Sequence, residues 1–403
     1  MFVQRGFQQD SRTHHEEIYL DNAATTALDP RVLEAMAPYL GSRCGDPSGA
    51  HAPGRRARQV VERGRVTVAR HLHCATAEVV FTSGGTESNN LALIGSARLL
   101  KRRGRHLVVS SIEHPSVLRA AAYLETQGFS VTCADADSQG RVGVDAVRHA
   151  LRPDTVLVSV MLASHVTGIV QPVPEIARLV HAHEALLHTD AVQALGKTTV
   201  DVRALGADLV SLSAHKMHGP QGIGGLYVRA GAVIQPRQFG DGQERGLRGG
   251  TENIAGILGF VRALDLCGPG RDRDRMGRLR DMLQDEITSR IDAVIVHGRE
   301  VARLSSILAV TIPDVNGEAL HRGLAARGLA VSSGEPGAAG RRAMVRAVGS
   351  HPEPIASTIR FSLSRRTTPE EIHAAAAIVG DVVARLHRPA TASPARNVVI
   401  GSG

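Results

Sequence analysis

The chain has 403 residues, 43% of them hydrophobic and only 3% aromatic, with a formal net charge of +8 and a pI near 9.9. That length fills two packed cores, and the cations lie scattered among acids, as in Arg271-Asp-Arg-Asp-Arg-Met-Gly-Arg-Leu-Arg-Asp281, so no nucleic-acid-binding face is expected. No apolar run nears the ~20 residues of a membrane helix, the start Met1-Phe-Val-Gln-Arg-Gly lacks a signal-peptide core, and the four cysteines show no Cys-x-x-Cys spacing; we expect a cytoplasmic protein with reduced thiols, no membrane partner and no metal.

Residues 1–16 are polar and irregular, and a disordered tail is expected there. From about residue 30 to 265, β-rich runs alternate with helical stretches. Val79-Val-Phe-Thr82 leads through Ser83-Gly-Gly-Thr86 into a helix ending at Leu100. His106–Ser110, Phe129–Cys133, Val156–Val160, Leu186–Thr189 and Leu209–Leu212 follow as strands, and Leu226–Val228 as another. The alternation is that of a mostly parallel α/β sheet, in which ligands bind beyond the carboxyl ends of the strands. The polar motifs fall at those ends. Gly268-Pro-Gly270 then breaks the pattern ahead of a helix with Met276, Leu279, Leu283, Ile287 and Ile291 spaced three or four apart. We expect a large domain over 17–265 and a smaller α/β domain over 266–388, the latter with strands at Val294–Val296, Ile307–Thr311 and Thr358–Ser362. A loose tail over 389–403 closes the chain.

Three features carry chemistry. Only three of the 47 basic residues are lysines, and Lys216 sits in a tight polar turn between two strand-like runs. A lysine there is either an ordinary surface cation or a desolvated amine able to form a Schiff base, a task closed to arginine. Ser83-Gly-Gly-Thr86 ahead of its helix reads as an N-cap turn or as a phosphate cradle at the positive helix end. Asp190, after a strand and 26 residues before Lys216, either caps a helix or pairs with a pyridinium nitrogen. An amine for an aldehyde, a carboxylate for a ring nitrogen and a turn for a phosphate are together the handles of pyridoxal 5'-phosphate.

These residues resemble the cysteine desulfurases, within the class V aminotransferase group of fold-type I pyridoxal phosphate enzymes. The matching motifs are Tyr19-Leu-Asp-Asn-Ala-Ala-Thr-Thr26, Phe81-Thr-Ser-Gly-Gly-Thr-Glu-Ser88, Glu113-His114, Asp190-Ala-Val-Gln193, Ser213-Ala-His-Lys216, Glu244-Arg-Gly-Leu-Arg-Gly-Gly-Thr251 and Ile359-Arg-Phe-Ser-Leu363, in order over residues 18 to about 387. The resemblance implies a seven-stranded, mostly parallel sheet, with segment 17–30 touching the small domain. It implies Lys216 as Schiff-base lysine and proton shuttle, Asp190 at the pyridine nitrogen, His114 stacked on the ring and Gln193 at the phenolic oxygen. Gly85, Thr86, Ser213 and His215 would surround the phosphate, with Thr251 supplied by the other subunit of a homodimer with shared active sites. Arg360 would clamp the substrate carboxylate rather than make a surface ion pair, and Asn22 would lie with it at the substrate.

Three departures from the family stand out. Desulfurases carry a cysteine three residues after a Ser-Ser-Gly; here Ser332-Ser-Gly334 is followed by Gly337 at that position, in a segment about three residues shorter than usual. Cys267, the cysteine closest in sequence, is expected at the other end of the domain, so no protein persulfide is expected. At Ala163-Ser-His-Val-Thr-Gly168, His165 replaces the family's asparagine beside the phenolic oxygen and the substrate, either as a proton-transfer group or as a simple hydrogen-bond donor. Asp46 replaces a common asparagine. The expectation is a pyridoxal phosphate enzyme acting on an amino acid through an external aldimine and Cα deprotonation, as a C–S or β-lyase, desulfinase or relative. Aminotransferase or epimerase chemistry is the alternative within the fold, and a non-catalytic scaffold for a sulfur-transfer partner the alternative outside it. A carrier or acceptor protein is a further candidate partner.

Overall fold

The structure, a computed structural model, describes residues 17–268, 270–333 and 356–387. Both expected tails and Gly337 lie outside the described residues. The chain opens on the two-residue strand β1 (Ile18–Tyr19) and the helices α1 (Pro30–Leu40) and α2 (Ala52–Leu72). Strand and helix then alternate as β2 (Val79–Thr82), α3 (Gly85–Leu100), β3 (His106–Ser110), α4 (Pro115–Thr126), β4 (Ser130–Ala134), α5 (Val144–Ala150) and β5 (Thr155–Ser159). The alternation continues through α6 (Val173–Ala182), β6 (Leu186–Asp190), α7 (Val202–Leu205), β7 (Leu209–Ser213), β8 (Gly224–Val228) and α8 (Ile254–Asp265).

These strands form one seven-stranded sheet in the order β2-β8-β7-β6-β5-β3-β4. Only β8 runs antiparallel to its neighbours, so the remaining six strands point the same way. Helices cover both faces, and successive residues enter opposite cores: Val79 and Phe81 pack on one side and Val80 on the other, as do Val108 against Leu107 and Val109. Burial on both faces is why these strands read as continuous apolar runs rather than alternating ones. Because six strands share a direction, Thr82, Ser110, Asp190 and Ser213 all end at one edge of the sheet. The site lies there.

A third core gathers around α9 (Arg271–Arg290), β9 (Ile295–Val296), β10 (Ile307–Thr311), α10 (Gly317–Ala326), β11 (Leu329–Ala330), β12 (Ser332–Ser333), β13 (Thr358–Ser362) and α11 (Pro369–Leu386). Four of its strands make an antiparallel sheet in the order β12-β13-β10-β9. Leu279, Leu283, Ile287 and Ile291 face it, as their spacing predicts. The first strand is tied to the late ones: β1 pairs in parallel with β11, and Asp21 bridges Ser362. Residues 18–26 therefore run from this core to the edge of the large sheet.

Candidate active site

A cavity of about 420 Å³ opens where that strap meets the carboxyl ends of the strands. Its wall brings together Gly85, Thr86, His114, His165, Asp190, Gln193, Ser213, His215, Lys216 and Arg360. Asn22 and Thr251 stay outside it. Asn22 is buried and spends its amide on the backbone oxygens of Tyr19 and Ser362, fastening the strap. Thr251 is exposed and lies beside Asp46, whose carboxylate is held below its ordinary range first by Ser48, the hydroxyl donating at 2.6 Å.

Lys216 follows β7, and its Nζ donates to the carbonyl oxygens of Ala23 at 2.7 Å and Ala24 at 2.6 Å. Burial, reinforced by Arg360 and opposed by Asp190 and Asp21, pushes its amine down to about 8. Near neutrality the group therefore exchanges its proton far more readily than an exposed lysine.

Asp190 ends β6. One oxygen accepts from the Val192 N–H at 2.9 Å and the other from Asn89 Nδ2 at 2.7 Å. Asn89 also donates to Ser116 Oγ, which pairs with His114 Nδ1 at 2.8 Å. One network thus fixes the carboxylate and the imidazole that caps α4. Burial lowers the His114 pKa, and its ring meets that of His165 edge to face at 5.4 Å. Beneath them Glu113 accepts from Ser110 Oγ and the Met161 N–H, and burial raises its carboxyl to about 8, which leaves it protonated at neutral pH.

His165 sits in a tight turn whose Ser164 hydroxyl accepts from the N–H groups of Val166 and Thr167. The turn closes on Gly168 at φ +76°, where an added Cβ would lie 2.9 Å from Ile307 Cβ. Burial, with His114, Arg360 and Lys216 nearby, pushes the His165 imidazole down to about 3. The ring is uncharged at neutral pH. Arg360 rises from β13, donates to the His165 carbonyl at 2.9 Å and pairs with Asp21 at 2.7 Å. The expected carboxylate clamp is thus also a partly buried ion pair, with Nε directed to neither partner.

The wall fits pyridoxal phosphate on its own terms. Asn89 Oδ1, His165 Nδ1 and Arg360 Nε are buried without a partner among the described residues, and all three residues line the cavity. The N-terminus of α3 has no side-chain cap, and it follows Gly84, whose φ of +151° few L side chains adopt. That leaves backbone N–H groups for an anion at the positive end of a 16-residue helix.

Cys267 lies close to the lysine turn, while its expected separation from position 337 falls outside the described residues. With Lys216, Lys197 and Met217 it lines a separate cavity of about 30 Å³, because the end of α8 folds back beneath the lysine turn. Its thiol is pushed up to about 11, chiefly by burial, and it is absent from the wall of the larger cavity. Sequence reasoning also missed Asn89, Asp21 and Lys197. Asn89 was findable, being one helical turn beyond Gly85 and hence on the same face of α3.

The aminotransferase class-V family profile matches residues 18–374. The chain is 40% identical over 377 residues to the putative cysteine desulfurase IscS 1 of Bacillus subtilis (strain 168), covering 92% of this chain and 100% of that protein. It is 41% identical over 377 residues to cysteine desulfurase IscS of Anaeromyxobacter dehalogenans (strain 2CP-C), covering 92% and 93%. Among solved structures a NifS-like protein superposes with a TM-score of 0.86 at 35% identity, over 92% of this chain and 100% of the other. DndA from Streptomyces lividans does so with a TM-score of 0.73 at 34% identity, over 85% and 99%.

Proposed function

We propose, from the premise that this chain belongs to the aminotransferase class-V family as a desulfurase-like, pyridoxal phosphate-dependent enzyme of fold type I, that it removes the Cα proton of an amino acid and releases a sulfur-bearing group from Cβ without holding that sulfur on its own cysteine. When bound, pyridoxal phosphate supplies an electron sink for the pair left at Cα. Lys216 would hold it covalently, Asp190 at the ring nitrogen, His114 over the ring, and Gln193 and His165 at the phenolic oxygen. Thr86, Ser213, His215 and the open N-terminus of α3 would take the phosphate, with Thr251 reaching in from a second copy in a homodimer.

Arg360 orients the substrate carboxylate, presenting Nε beside its existing contact with Asp21. The amine of Lys216, near 8, is matched to taking up the Cα proton and returning it. His165, near 3, is a weak base, so its free nitrogen serves as a hydrogen-bond partner that steers the reacting group. A thioether sulfur then leaves as thiolate with the Cβ–S electron pair, giving pyruvate and ammonia after hydrolysis, whereas a sulfinate leaves as sulfur dioxide and its electron pair stays on Cβ, which takes up a proton to give alanine; neither needs thiol attack.

The observation that carries this reading is a cavity whose wall gathers Lys216, Asp190, His114, Gln193 and Arg360 and, among the described residues, no cysteine. Cys74 is pushed up to about 12 by burial, and Cys44 and Cys133 are exposed. Residues 334–355 contain no cysteine. The loaded protein should convert S-alkylcysteine or cysteine sulfinate to pyruvate and ammonia or to alanine, with the sulfur product free in solution and no sulfur adduct on the protein by intact mass. Sulfane sulfur from cysteine at ordinary desulfurase rates would sink the proposal, and a keto acid formed without loss of the β-substituent would favour aminotransfer. We place this activity in the cytoplasm; among the described residues no helix is long and apolar enough to cross a membrane.

A further inference from the structure

The second of the chain's three lysines lies behind the cofactor cavity and belongs to no role assigned above. Lys197 is buried, and its Nζ donates to Gln193 Oε1 at 2.8 Å. Gln193 Nε2 then donates to the Ala23 carbonyl at 2.8 Å, the same oxygen that Lys216 Nζ reaches at 2.7 Å. Two lysines are thereby joined through one amide and one backbone oxygen. The turn that carries Lys197 has little freedom: Gly196 sits at φ +76°, and a Cβ there would lie 2.7 Å from Cys267 Sγ and 3.0 Å from Met217 Cβ.

An ammonium donates and cannot accept, whereas an amide presents a donor at one end and an acceptor at the other. Whichever end faces Lys197 decides which end faces the cavity. We propose that Lys197 is a positioning residue that locks the Gln193 amide with its oxygen turned away and its N–H turned toward the cofactor's phenolic oxygen. The inference rests on the cofactor placement given above, and on no particular substrate. A donor at that oxygen stabilises its anionic form, so the lock favours proton loss from the lysine-linked cofactor at lower pH. An unlocked amide can turn its carbonyl oxygen inward, and the favourable contact becomes repulsive. Burial, Lys216 and Arg360 push the Lys197 amine down to about 7, against a small opposing pull from Cys267, so the lock is that of an ammonium below that pH and loosens above it, where the neutral amine accepts as well as donates.

The test uses the resting holoenzyme without amino acid, read as the pH midpoint of the cofactor's visible band. The charged and titratable groups around Lys216 are Arg360, Asp190, Asp21, His114, His165, His215 and Lys197, and only the last changes. Lys197→Met should raise the midpoint by about one to two pH units, a 10- to 100-fold change, the range of one hydrogen bond to a charged group. Lys197→Arg should restore it. In a Gln193→Ala background Lys197→Met should add little, because the effect passes through the amide. An unmoved midpoint in Lys197→Met, or a full additional shift in the Gln193→Ala background, overturns the proposal; the latter would assign the effect to charge alone. Lys197→Gln, which retains a donor but can also accept, serves where Lys197→Met fails to fold, and it too must raise the midpoint. Absence of sulfur release would count against the proposed reaction and leave this result intact.

Discussion

Glu244→Ala should loosen the outer edge of the large sheet by an amount that the structure sets. Strand β2 is an edge strand, and its Phe81 N–H points away from the sheet to Glu244 Oε2 at 2.8 Å. The same carboxylate takes a two-pronged bond from Arg65, at 2.8 and 2.9 Å, with side-chain exposures of 5% and 2% for the two partners. Arg65 and Arg245 both donate to the Val79 oxygen, so the pair seals this edge. Removing the carboxylate leaves the buried guanidinium with only the exposed Glu62, 3.4 Å away, as counter-ion, and orphans an N–H, a loss of about 3–4 kcal/mol by analogy with broken buried pairs. Alanine must also keep the positive φ of 47° found at this position, so no backbone relief offsets the loss. Local opening should become roughly 10²- to 10³-fold more frequent, read as faster hydrogen exchange at Phe81 by mass spectrometry. Arg65→Met in the Glu244→Ala background should restore most of the protection. Less than about a tenfold change (~1.4 kcal/mol) in the single variant, or additive losses in the double variant, would refute the reasoning.

For Lys216, whose amine is lowered from 10.5 to about 8, the cofactor-free protein should react with pyridoxal phosphate faster as pH rises through about 8, then level off; a midpoint near 10 would contradict the buried geometry. The depressed value means the unfolded chain binds more protons between about 8 and 10.5, so stability should rise with pH across that window, and Lys216→Met should flatten the rise in a denaturation series. Arg360→Lys replaces a planar fork by a point charge, and steady-state kinetics should show KM raised about 10- to 100-fold with kcat changed far less. Cys267→Ala should leave kcat/KM within about twofold, since its thiol is buried outside the cavity; a large loss would reinstate a thiol in the chemistry.

The strands of the large sheet were legible because burial on both faces leaves uninterrupted apolar runs such as Leu107-Val-Val109, and the helix at 271–290 because its apolar spacing follows one face. The two-residue strands β1, β11 and β12 carry too little pattern to register. Most of the cavity wall was legible through motifs at strand ends, which parallel strands bring to one edge. Contacts set by folding across the chain were not: Asp21 meets Arg360 although 339 positions separate them. The place of Cys267 beneath Lys216 was illegible for the same reason, since position at the end of α8 says nothing of the turn it meets. Lys197 was passed over because its importance lies in burial and in one bond to Gln193, neither of which leaves a mark on the local sequence.

The strap from Ile18 to Thr26 has a mechanical consequence. At one end it is stitched to β11 and β13 by backbone bonds from Leu20 and Ser362; at the other it is pinned where Thr26 N–H and Oγ1 both reach the His215 carbonyl. Between these anchors lie Asp21, which holds Arg360, and the two carbonyls that hold Lys216. A carboxylate taken up at Arg360 beside Asp21 would therefore load a short tether whose next few residues, Ala23 and Ala24, hold the amine of Lys216. Occupancy at the guanidinium and the grip on the lysine would then share one length of backbone.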